Sequence, residues 1–138
     1  MAEFALAGKR GCFETYASIK ALKGRVTKIL GERPDVSGKY LREELLIKDN
    51  KEVQDEVESF LSYLKIGLGN LIDIFEPEAI CLGGSFAYYE NNPIFDRLIG
   101  KLHEPDCKFS VAKLPDIVVA NFKNDAGIIR CNDIAKTR

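Results

Sequence analysis

The sequence predicts a helix-rich α/β fold with an incomplete parallel sheet. Three observations lead there. The stretch 51–75 carries apolar residues at a helical period, and two short apolar runs, Ala79–Leu82 and 116–122, read as strands. Helical patterns precede, separate and follow those runs, the order that a parallel pair with a crossover helix requires.

Residues 12–30 read as the first helix, with Phe13, Ala17, Ala21 and Leu22 on one face and Val26, Ile29 and Leu30 continuing it. Gly24 is a weak point, and Gly31 followed by Pro34 ends the run. Ser37 caps a short helix to about Leu46, in which Leu41 and Leu45 are spaced four apart. Asp49-Asn50 then caps the long helix, whose stripe is Val53, Val57, Phe60, Leu61, Leu64, Leu68, Leu71, Ile72 and Phe75. Gly67 and Gly69 lower its helix propensity by about 1 kcal/mol each, which suggests close approach of another backbone there.

Pro77 stops this helix. Ala79-Ile80-Cys81-Leu82 is apolar throughout, as expected of a strand buried on both faces. Asn92-Pro93 opens a helix to about His103, Asp116 to Phe122 forms the second strand, and Asn124 or Asp125 caps a last helix to about Lys136. Two strands are few for a self-sufficient sheet. Residues 105–113 are the candidate for one more edge segment.

Twenty cations against 21 anions give a net charge of −1, which supplies no electrostatic case for nucleic acid. No apolar run is long enough for a membrane span. The start MAEFALAGKRG has no long apolar segment of the secretory kind. The expectation is a cytoplasmic protein of one domain, residues 1–138, with reduced and mostly buried cysteines. Cys12, Cys81, Cys107 and Cys131 contain no CxxC pair and do not read as a metal-finger array.

Three places carry possible chemistry. Gly83-Gly84-Ser85 ends the first strand, where ligands gather in open α/β sheets and where bare backbone can approach a nucleotide; the plain alternative is a tight turn. Ala126 and Gly127 follow an N-cap and leave room at a helix start, and they serve equally as small packing residues. Glu14 is either a first-turn acid favoured by the helix dipole or an acceptor for a ligand's hydroxyls. His103, the sole histidine, reads as a surface residue at a helix end.

GCFETYAS at 11–18, LGNLIDIFEPEAICLGGS at 68–85 and NDAGII at 124–129, in that order, resemble the ROK family of bacterial glucokinases, other sugar kinases and sugar-responsive repressors. The resemblance runs from Gly8 to Ala135. It implies the carboxy-terminal half of an RNase H-like fold of the actin/hexokinase ATPase type. In intact members this half joins an amino-terminal half that carries an Asp-x-Gly-Gly-Thr phosphate loop and the Asp that deprotonates the sugar. Neither is recognised in this sequence.

The resemblance further implies a hexose and Mg-ATP as substrates of the intact family, and members often dimerise. Glu14 matches the family's sugar-binding glutamate, and Gly83, Gly84, Ser85, Ala126 and Gly127 match nucleotide-side positions. Arg130-Cys131 stands where Gly-Ala is usual. The family's zinc motif is Cys-x-Cys-Gly-x-x-Gly-Cys-x-Glu. Gly8, Gly11, Cys12 and Glu14 match it, but Ala5 and Ala7 replace its first two cysteines. A structural zinc needs four ligands, so no zinc is expected. Cys12 is then a remnant ligand beside a mobile turn at Gly8 to Gly11. The expected function is the carboxy-terminal part of a glucokinase-like kinase, inactive alone. The alternative is a sugar-sensing fragment of a ROK repressor.

Overall fold

The computed structural model describes residues 11–31, 38–41, 50–89, 91–105, 109–111 and 113–120. The expected helix at 12–30 is two helices, α1 (Glu14–Ala17) and α2 (Ile19–Leu30). Ser18 separates them. Its backbone is extended, and its hydroxyl oxygen accepts from the Ala21 N–H at 3.1 Å, so it ends one helix and caps the next. The apolar period ran straight through this break and concealed it. Gly31, at φ 73°, closes α2 as expected. α3 (Gly38–Tyr40) is short, Leu41 follows it, and the rest of the expected helix, 42–46, lies outside the described residues.

α4 (Lys51–Phe75) is the spine of the fold. Asn50 caps it, accepting from the Val53 N–H at 3.2 Å. Its stripe from Val53 to Leu68, with Ile72, is buried between α2, α5 (Pro93–Leu102) and Leu41. The end of the stripe departs from expectation: Leu71 and Phe75 are exposed, as are Ile66 and Ile74 elsewhere around the helix. Glu76 terminates the helix in a left-handed conformation, its N–H reaching the Ile72 carbonyl, and Pro77 follows.

β1 (Ala79–Leu82) and β2 (Asp116–Val119) pair in parallel, with Ala79 opposite Asp116 and Leu82 opposite Val119. α5 is the crossover between them. Burial on both faces does not hold. Ile80, Leu82 and Ile117 pack on the core, whereas Ala79, Cys81 and Val118 alternate onto an exposed face, since the described helices layer only one side of the sheet. Of the four cysteines expected to be mostly buried, Cys81 is exposed and Cys12 half-buried, and Cys107 and Cys131 lie outside the described residues.

The described part of 105–113 adds no strand. It lies over α4 instead: the Ser110 N–H donates to Asp73 Oδ1 at 2.7 Å, and the Phe109 ring sits on Gly69. A Cβ at Gly69 would lie 3.0 Å from that ring, so the close approach is aromatic and not backbone. The end of the second expected strand, beyond Ala120, and the last helix lie outside the described residues.

Ion pairs join α4 to α5. Glu58 takes Arg97 and Lys101, the latter at 2.7 Å, and Lys65 meets Glu104 at 2.7 Å. Burial on its own would raise the Glu58 carboxyl. Hydrogen bonds from Lys101 and Arg97, with their positive charges, outweigh it and hold the carboxyl below its ordinary value. Its stabilising contribution is therefore present above the unfolded-state value and is lost as pH falls through the lower folded one. Glu58→Gln is expected to flatten the fall in melting temperature between roughly pH 5 and pH 3. An unchanged slope would mean that these pairs do not contribute.

Candidate functional site

Gly11, at φ 75°, turns the chain into α1, and Thr15 anchors that turn by donating its hydroxyl to the Cys12 carbonyl at 2.6 Å. Thr15 is buried and Glu14 is exposed. No hydrogen bond or ion pair joins the Glu14 side chain to another described residue, so both carboxylate oxygens can accept from a ligand.

The corner is seated on α4 by aromatic side chains. The Phe13 ring lies over Gly67, where a Cβ would come within 2.2 Å of it. Gly67 thus makes room for a ring, again not for a backbone. Phe13 nevertheless stays 52% exposed, against the buried position expected for it. Tyr16 and Tyr63 lie with ring centroids 5.0 Å apart. Arg25, from α2, donates to the Thr15 and Tyr16 carbonyls at 2.9 Å each and to the Glu56 carboxylate of α4. Sequence reasoning missed Arg25, because a charged residue ten positions away that binds carbonyl oxygens leaves no periodic trace.

The second corner stands at the carboxyl end of β1. The Leu82 carbonyl accepts from the Ala120 N–H at 2.9 Å, closing the sheet. Gly83, Gly84 and Ser85 follow and are all exposed. Gly84, at φ 61°, needs glycine for its backbone. Among the described residues, a Cβ at Gly83 would meet the Ala120 methyl at an ordinary 3.8 Å and nothing nearer. A glycine at a strand end can present its backbone to an incoming phosphate or ribose.

Behind this turn, the 3₁₀ helix Gly84–Tyr89 buries Phe86 and Tyr89, with Phe86 6.5 Å from the Phe95 ring of α5. The turn is thereby tied to the core. Ala126 and Gly127 lie outside the described residues. The Glu14 corner rests on α4 at Gly67, and the glycine turn ends β1, the strand that follows that helix.

Cys12 stands with Ala5 and Ala7 at the partner positions, and no group of three metal-binding side chains occurs among the described residues. His103 is exposed at the end of α5. No described helix is long and apolar enough to cross a membrane.

A family model described as the ROK family matches residues 2–138. The N-acetyl-D-glucosamine kinase of Mannheimia succiniciproducens is 29% identical over 121 residues, 88% of this chain and 38% of that enzyme. The ROK hexokinase of Thermus thermophilus, a crystal structure, superposes with a TM-score of 0.71 at 22% identity, covering 96% of this chain and 45% of its own. That likeness identifies the helix-rich fold as part of the actin/hexokinase ATPase type. The chain spans less than half the length of these two relatives.

Proposed function

Because the chain belongs to the ROK family, we propose that it is the carboxy-terminal lobe of an ATP-dependent hexose kinase. The observation that carries this reading is the family match over residues 2–138, which includes both the Glu14 corner and the glycine turn. A glucose-type sugar is the proposed substrate class, and the kinase relative extends it to N-acetylhexosamines. That relative and the intact Gly83-Gly84-Ser85 turn favour a kinase over a repressor fragment.

Glu14 accepts hydrogen bonds from sugar hydroxyls. Gly83, Gly84 and Ser85 offer N–H groups to the nucleotide, with Ala126 and Gly127 lining the same side. Mg-ATP supplies the phosphoryl group. The barrier falls through positioning and charge neutralisation as two lobes close over the transferred group. The proton of the attacking hydroxyl goes to an Asp on the other lobe, so this chain alone is inactive.

The protein works in the cytoplasm, without zinc, and these 138 residues pair with a second copy or pack against an amino-terminal half of the ROK type. The exposed Ile66, Leu71, Ile74 and Phe75 support such pairing. A coupled ADP-release assay with glucose and with N-acetylglucosamine is expected to show no turnover above the enzyme-free control. Turnover well above it would place the base within this chain and overturn the proposed division of labour.

A further inference from the structure

α1 has four residues and cannot satisfy its own carbonyl groups. The chain also leaves it at once, through the extended Ser18. Two of these orphan acceptors belong to Thr15 and Tyr16, the residues directly after Glu14, and both are met by one guanidinium. The third direction of the same planar fork is held by Glu56 of α4. Only 19% of the Arg25 side chain and 20% of the Glu56 side chain are exposed, so solvent competes weakly for these bonds.

We infer that Arg25 is the positioning residue of the Glu14 corner. It ties the backbone just beyond Glu14 to α2 and α4 and so fixes where the carboxylate stands for a hexose; this rests on the proposed sugar-binding role of Glu14. The fork is specific to arginine, since a lysine ammonium has no planar set of donors to meet two carbonyls and a carboxylate together. Phe13 on Gly67 and Tyr16 beside Tyr63 hold α1 to α4 independently of Arg25. Loss of Arg25 therefore loosens the corner without detaching it.

The test compares the whole chain with Arg25→Gln, Arg25→Lys and Glu14→Gln by melting, amide hydrogen exchange, and NMR titration with glucose and with N-acetylglucosamine. The Ala17 and Ser18 amides, bonded to the Phe13 and Glu14 carbonyls, are expected to exchange at least about tenfold faster in Arg25→Gln, with α5 unchanged. Hexose affinity is expected to fall by about tenfold or more, and Arg25→Lys is expected to restore part of both. A Leu98→Val variant, which perturbs the core away from the corner, supplies the structural control and should leave hexose affinity in place.

Hexose affinity within twofold of the parent in Arg25→Gln, while Glu14→Gln loses it, would overturn the positioning role and leave the sugar role standing. An equal affinity loss in Leu98→Val would overturn it as well. If Glu14→Gln binds hexose as the parent does, or the parent binds none, the sugar reading itself fails and the positioning role falls with it.

Discussion

Phe60→Ala is expected to destabilise the chain by about 3–5 kcal/mol, a large share of the roughly 5–15 kcal/mol available to a domain. Phe60 is fully buried at the middle of α4, the helix on which α1, α2 and α5 all rest. Removing its ring leaves a cavity that helices fixed by ion pairs and caps cannot close. Urea unfolding reads the loss directly. Ile74→Ser is the control: that side chain is 70% exposed, and its replacement should stay within about 0.5 kcal/mol. A loss below about 1 kcal/mol for Phe60→Ala would show that α4 is not the centre of the core.

Glu14→Gln carries the largest expected effect on binding. A hydrogen bond to a charged acceptor contributes about 1.5–3 kcal/mol, so hexose affinity should fall roughly 10- to 100-fold. Stability should not change, because the side chain is exposed and makes no bond to another described residue. Calorimetric titration of parent and variant at matched folded fractions separates the two quantities. A fall in melting temperature in step with the affinity would assign Glu14 a structural role instead.

How legible these features were in sequence depends on the kind of signal each leaves. α4 and its Asn50 cap were readable because a long amphipathic helix repeats its period many times and its cap has a side-chain signature. The strands were readable as apolar runs, but their one-sided burial was not, since an apolar run is silent about how many layers cover it. The break at Ser18 was hidden because Phe13, Ala17 and Ala21 keep the helical spacing across it.

The aromatic rings over Gly67 and Gly69, and the Arg25 fork, join residues far apart in the chain and leave no local pattern. The two corners were located through family resemblance. Taken singly, Glu14 was a first-turn acid and Gly83-Gly84-Ser85 a tight turn. The structure adds physical content to both. The carboxylate is exposed on an anchored helix, and among the described residues a Cβ at Gly83 would meet only the Ala120 methyl, at an ordinary distance.

The most direct test is an amide NMR titration of the chain with N-acetylglucosamine or glucose and, separately, with ATP. A hexose lobe of a ROK kinase should show sugar-dependent shifts concentrated at residues 11–18 and ATP-dependent shifts at 82–86. Shifts of both ligands confined to other segments, or none at millimolar ligand, would contradict the assignment of these two corners.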